Sequence, residues 1–191
     1  MTDIELDTAR LILRPFAEGD FDAARSWRNN PENARYLNWN PSDEEHFRDW
    51  RERVIERAKA EPRLKFDFAV EVRETGAVIG NCGIFAEDAT FDTAGLGYIL
   101  HIDHWNRGYG TELCGALLRF GFEELRLRRV TATCAAANYG SYRVMERNGM
   151  RREGTHVKAF WARVDKEWID EAVYAILADE WRSIHGNGAG L

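Results

Sequence analysis

The chain has 191 residues, 45% hydrophobic and 30% charged, which is globular rather than disordered composition and enough for one sizeable domain around a single core. Its net charge of -6 is dispersed; this excludes the basic face that a nucleic-acid partner needs and weakly favours a cationic substrate. The opening Met-Thr-Asp-Ile-Glu-Leu-Asp has no basic or apolar signal region, and no apolar run approaches the roughly 20 residues that cross a bilayer, so a cytoplasmic protein without a membrane partner is expected.

In chain order, Ala9 to Arg14 reads as a first strand stopped by Pro15, and Asp20 as the N-cap of a helix running to Asn29, broken by Asn29-Asn30-Pro31. Ser42 with Glu45 fits a capping box, and Phe47, Trp50, Val54, Ile55 and Ala58 give the second helix one apolar face. The period then shortens to two. Phe66–Val72 and Val78–Phe85 form a hairpin about Glu74-Thr75-Gly76, and Leu96–Ile102 is a fourth strand. The helix from Thr111 is apolar at Leu113, Ala116, Leu117 and Phe120, widened by Leu118, Phe122 and Leu125, as for a helix buried on a sheet. Arg129–Ala135 is a fifth strand, Asn138–Met150 holds a short helix stopped at Asn148-Gly149, and two strands within Thr155–Val164 and Ile169–Leu177 follow. The order β-α-α-β-β-β-α-β-α-β-β mixes hairpins with crossovers, so an α/β fold with a mixed sheet covered by helices is expected over residues 1-184, with 185-191 a flexible tail.

The segment Trp105-Asn106-Arg107-Gly108-Tyr109-Gly110-Thr111-Glu112 lies between the fourth strand and a buried helix. Gly108 and Gly110 let an anion approach the main chain, the first amides of the helix point at it, and Arg107 adds a permanent positive charge. These features suit a pyrophosphate; a plain glycine-softened turn is the alternative. Cys82, Cys114 and Cys134 lie in apolar runs and read as reduced core thiols, with Cys134 also considered as a nucleophile. No metal-ligand spacing is present; His101 and His104 lack a third ligand.

Together with Asn138-Tyr139-Gly140-Ser141-Tyr142-Arg143-Val144-Met145-Glu146-Arg147-Asn148-Gly149-Met150, this loop resembles the GCN5-related N-acetyltransferase (GNAT) superfamily. More closely the chain is similar to the ribosomal-protein N-terminal acetyltransferase (RimJ/RimL-like) branch, through Thr8-Ala-Arg-Leu-Ile-Leu-Arg-Pro-Phe16, Gly97-Tyr98 and Glu167–Trp181. The resemblance implies a GNAT fold with splayed fourth and fifth strands and acetyl-CoA as cofactor. The pyrophosphate would sit on Arg107, Gly108, Tyr109, Gly110 and Thr111, with Leu100 and Ile102 as backbone partners of the pantetheine arm. Asn138 would bond that arm or the substrate, and Arg143 and Arg147 would reach the phosphates. Trp105 stands where the family usually has Gln or Arg, which backbone donors tolerate.

The implied reaction is direct attack of an amine on the thioester, without an acyl-enzyme. An α-amine with pKa near 8 needs less help to lose its proton than a lysine near 10.4, which favours a protein or peptide N-terminus as acceptor. A small amine (polyamine, aminoglycoside or amino-acid analogue) and a non-catalytic acyl-CoA-binding module are the alternatives. The family's usual glutamate base is replaced by Gly95, leaving Glu87, Asp88, Asp92 and His101 as substitutes; its usual tyrosine donor is replaced by Met145, leaving Ser141 as the implied donor near the sulfur and Tyr142 behind it. Ser141 also reads as the N-cap of its helix. The oxyanion donor would be a backbone N–H near Leu100. Trp39, Phe85, Glu87 and Trp161 are the expected walls of the substrate pocket. A homodimer is compatible with the resemblance, although no exposed stripe demands one.

Overall fold

The computed structural model describes residues 4–186. Its strands are β1 (Leu6–Asp7), β2 (Leu11–Arg14), β3 (Lys65–Val72), β4 (Val78–Ala86), β5 (Thr93–Leu100), β6 (Arg129–Ala135), β7 (Arg151–Ala162) and β8 (Glu167–Leu177). Its helices are α1 (Asp20–Arg28), α2 (Pro31–Ala34), α3 (Glu44–Lys59), α4 (Tyr109–Arg119), α5 (Tyr139–Arg147) and α6 (Ala178–His185). The strands make one sheet in the order β1-β2-β3-β4-β5-β6-β8-β7. Every neighbouring pair is antiparallel except β5 and β6, whose parallel pairing requires the crossover that α4 supplies. This is the expected mixed α/β architecture.

Strand alternation splits the core between the two faces of the sheet. Leu96 and Leu100 of β5 join Phe68, Ile84, Leu113, Leu117, Tyr174 and Trp181 beneath α4 and α6. Ile99 points the other way, into a second cluster of Phe21, Trp27, Phe47, Trp50 and Val54 beneath α1 and α3. The apolar stripe of α4 is buried as its spacing requires, with Leu113, Leu117 and Leu118 fully enclosed. Leu117→Ala is expected to cost about 2–5 kcal/mol through the cavity it leaves, read as a lower denaturant midpoint at unchanged slope.

Several local expectations are corrected. Asp20 is the first residue of α1 and Gly19 its N-cap; the Asp20 carboxylate instead accepts from Ala17 N (2.7 Å) and Arg14 Nη1 (2.7 Å). Ser42 does not cap α3. It holds φ 63°, and Asp43 caps by accepting from His46 N at 3.0 Å. Ala58 of α3 is exposed. Asn30-Pro31 starts α2 rather than only breaking a helix, because Asn30 Oδ1 accepts from Glu32 N (2.9 Å) and proline suits a first helical position. Ile102 lies outside β5, in a 3-10 turn. β7 begins at Arg151, earlier than Thr155, and α6 follows β8. His185, expected in the tail, is the last residue of α6 and lies against Trp181 with ring centres 5.0 Å apart; residues 187–191 lie outside the described residues.

Candidate active site

Gly108 is the N-cap of α4 and holds φ 81°, a conformation that glycine adopts without the Cβ penalty. The first intrahelical bond runs from Glu112 N to Gly108 O (3.2 Å), so the amides of Tyr109, Gly110 and Thr111 have no helical acceptor, and no side chain caps them. A bare helix N-terminus with Arg107 exposed beside it is an anion-binding arrangement. The loop is braced by residues the sequence did not single out for it. Arg10 Nη1 donates to Arg107 O (2.9 Å), Arg10 Nε donates to Glu112 Oε2 (2.7 Å), and Thr8 Oγ1 donates to Glu112 Oε1 (2.7 Å). Burial pushes the Glu112 carboxyl up, but Thr8 and Arg10 together hold it below the usual range. Its contribution to stability is therefore present above the unfolded pKa and lost as pH falls through the lowered folded value. Glu112→Gln is expected to flatten the acid limb of the stability–pH curve, measured by thermal melts between about pH 3 and pH 6.

β5 and β6 pair only at Thr93 with Arg129, Ala94 with Val130 and Gly95 with Thr131, and beyond these residues the two strands share no ladder. His101 N donates to Ile79 O of β4 at 2.8 Å. The alternation of an antiparallel ladder then directs Ile99 and Gly97 toward β4, and the amides of Tyr98 and Leu100 toward the open side. The carbonyl of Leu100 already accepts from Asn33 Nδ2 (2.6 Å) and Trp105 Nε1 (2.7 Å), which leaves its N–H for the gap. Beyond β5, the N–H of Ile102 donates to Asn33 Oδ1 (3.2 Å) and its carbonyl accepts from Trp105 N (3.0 Å). Asn33, buried on α2, thus clamps the end of β5. Asn33→Ala is expected to cost about 1–3 kcal/mol by stranding these groups, checked by the melting temperature.

On the α1/α3 side of the sheet lies a cavity of about 410 Å³, lined toward the gap by Tyr98, Ser141 and Met145. Asp67 of β3 pairs with Gly83, and Gly83 with Gly97; the Phe85 ring covers Gly83, whereas a Cβ on Gly97 would meet nothing within 4 Å. Asp67 is buried on the wall, with Arg57 Nη1 3.3 Å from Oδ2. Burial raises its pKa and outweighs the neighbouring Arg57. Ser141 is not the N-cap of α5. Asn138 is, with Oδ1 accepting from Ser141 N at 3.1 Å. The Ser141 hydroxyl lies beside the Tyr98 phenol and the Cys134 thiol, whose pKa values burial raises while Ser141 eases both down. Both groups therefore keep their protons at neutral pH, so Cys134 is not a resting thiolate.

Trp39 and Phe85 line this cavity, as expected, whereas Glu87, Asp88, Asp92, His101 and Trp161 do not. Asp88 accepts from Thr90 N (2.8 Å), Asp92 is held by Arg128 (2.8 Å to each oxygen), His101 Nδ1 accepts from Asp103 N (3.2 Å), and Trp161 packs on Trp168. Asp88 thus serves a turn and Asp92 an ion pair. Arg143 and Arg147 are exposed on α5 and make no ion pair among the described residues. Arg28, His46, Arg53 and Arg57 line the cavity, with Asp67 as its carboxylate. Tyr98 and Asp67 are the site residues the sequence reading missed. Tyr98 was legible as half of the Gly-Tyr pair, but Asp67 had no local signal.

Residues 10–151 match the acetyltransferase (GNAT) domain family. The chain is similar to the uncharacterised N-acetyltransferase YnaD of Bacillus subtilis (strain 168), 32% identical over 178 residues that cover 93% of this chain and 99% of the relative. Its fold is that of the ribosomal-protein-S5-alanine acetyltransferase of Vibrio fischeri (TM-score 0.79, 18% identity, covering 94% of this chain and 99% of that one). It is equally that of the spermidine N-acetyltransferase of Vibrio cholerae in complex with CoA and spermine (TM-score 0.78, 21% identity, covering 91% and 99%). At these identities the two structures share a fold with this chain while their names give different acceptors. The bare helix start, the splayed strands and the matched domain lead to one conclusion: the chain belongs to the GNAT acetyltransferase family and is an N-acetyltransferase.

Proposed function

We propose that the protein transfers acetyl from acetyl-CoA to a primary α-amine, the N-terminus of a protein or peptide in the manner of the RimJ/RimL-like branch, by direct attack in the cytoplasm. The observation that carries this reading is the placement of an uncapped, arginine-braced helix start beside the β5–β6 gap, with an open cavity reaching that gap. When bound, the cofactor supplies an activated acetyl thioester. Its diphosphate would be held by the amides of Gly108–Thr111 with Arg107, Arg143 and Arg147 nearby, and its arm by the open edge of β5.

The chain's own groups divide the remaining work. Leu100 N–H, facing the gap, donates to the developing oxyanion. Asp67 takes the amine's proton: its raised pKa makes it a better base than a solvated carboxylate, and the open face of Gly97 leaves room for a relaying water. Strands lie about 4.8 Å apart, so Asp67 stands two strands, about 10 Å, from Gly97, a span that requires that water. Ser141 Oγ, with Tyr98 Oη behind it, returns a proton to the departing sulfur. Asp67→Asn is expected to lower kcat/KM about 100-fold and to remove the acid limb of the pH–rate profile. That limb falls with decreasing pH, since only the ionised carboxylate accepts a proton. Thiol release with a panel of amines tests the whole reading. Turnover with α-amino peptides but not with spermidine supports it, and CoA binding without turnover of any amine refutes it.

A further inference from the structure

The α1/α3 wall of the cavity carries a cation that the mechanism above does not use. Arg28, the last residue of α1, is only 4% exposed. Its guanidinium lies 4.2 Å from the ring centres of both Trp39 and Trp50. Arg28 Nη2 donates to His46 Nδ1 at 3.2 Å, and no carboxylate pairs with it among the described residues. Its Nε and Nη1 make no hydrogen bond among the described residues, and Arg28 lines the cavity. Two indole faces attract the charge, yet a buried cation without a counter-anion remains costly.

The surroundings add positive charge rather than cancel it. Arg53 of α3 lines the same cavity and makes no ion pair among the described residues. Burial first, and then Arg53, lowers the Arg28 pKa to about 10, which leaves it charged at neutral pH. Burial, Arg28 and Arg53 likewise lower the His46 pKa, and Asp43 and Asp49 only partly oppose them. His46 Nδ1 accordingly accepts from Arg28 as a neutral ring. Asp67, on the same cavity, is already engaged by Arg57. A wall with two uncompensated guanidiniums and a neutral imidazole is built for an anion, and guanidinium forks match carboxylates.

Resting on the reading that this cavity takes the acceptor amine, we infer that the acceptor carries a carboxylate, which docks on Arg28 and Arg53 while its amine faces the Ser141 end. The carboxylate is either the main-chain carboxylate of a free amino acid or the side chain of an acidic N-terminal residue. A polyamine offers this wall no carboxylate and meets Arg28 and Arg53 as like charge.

The test compares four acceptors by thiol release: free glutamate, a Glu-led peptide amide, the matching Gln-led peptide amide, and spermidine. The Glu-led amide or free glutamate is expected to exceed the Gln-led amide in kcat/KM by about 10- to 100-fold, mostly through KM. Whichever of the two is preferred identifies the source of the carboxylate. Arg53→Gln, on an exposed residue, should bring the acidic-to-neutral ratio to near unity, and so should Arg28→Met, which keeps an unbranched apolar stem between the indoles. Calorimetry of N-acetylglutamate against N-acetylglutamine amide, which carries no carboxylate, with CoA present, reads the same preference without turnover. Equal use of acidic and neutral acceptors with wild-type ratios in both variants overturns the carboxylate site and leaves acetyl transfer standing. Preferential binding of N-acetylglutamate without turnover of any amine upholds the site and sinks the enzymatic reading; equal calorimetric affinities sink the site.

Discussion

Gly108→Glu raises the dissociation constant for coenzyme A about 100-fold or more. The substitution sets a carboxylate where the amides of Tyr109, Gly110 and Thr111 converge, and two unit charges about 4 Å apart at an effective dielectric near 20 repel by about 4 kcal/mol. It also places a side chain at φ 81°, where a Cβ would meet Arg10 Nη2 at 3.3 Å. That backbone conformation costs a non-glycine residue about 1–2 kcal/mol, a fall of about 2–8 °C in melting temperature for a chain of this size. Gly108→Ala carries the same strain without the charge. Titration calorimetry should therefore find the alanine variant much closer to wild type than the glutamate variant, although the two melt together. Equal affinity in all three proteins removes the loop from cofactor binding.

Ser141→Ala lowers kcat about 100-fold while the affinity for coenzyme A stays within a few-fold of wild type. Proton transfer by a positioned side chain contributes typically about 100- to 10,000-fold, and the loss belongs to the step in which sulfur departs. The helix itself survives, because Asn138 rather than Ser141 caps α5 and takes only the main-chain N–H of Ser141. Tyr98→Phe should cost less, since its phenol lies behind the serine. The double variant should fall no further than Ser141→Ala alone, because groups acting through one proton path are not additive. A full multiplicative loss in the double variant, or an unchanged rate in Ser141→Ala, contradicts this assignment.

What was legible in the chain was local. The two glycines, the arginine between them and the tryptophan, and the wide stripe of Leu113, Ala116 and Leu117 are read within a dozen residues, and the structure puts a helix start and a buried helix there. The crossover between β5 and β6 followed from the order of elements. The residues that shape the site were not legible, because their meaning depends on distant partners. Arg10 reaches Glu112 across 102 positions, and Asn33 reaches Leu100 across 67. Asp67 alternates like any strand residue, and only its place in one row with Gly83 and Gly97 brings it to the cavity. Asp88 and Asp92 looked available because their turn and arginine partners carry no motif. The overall acidity does not specify the few side chains that face one cavity, because a dispersed net charge carries no positional information. The start of β7 was missed because residues 151–159 are exposed on both faces of an edge strand, so no hydrophobic alternation marks them.

A crystal structure of the wild-type protein with coenzyme A and an N-acetylated peptide tests the central claim most directly. The account predicts the diphosphate on the amides of Gly108 to Thr111, the arm running between β5 and β6, the sulfur beside Ser141, and the acetylated amine inside the cavity lined by Gly83 and Gly97. A diphosphate bound elsewhere, with the start of α4 bare, would contradict it.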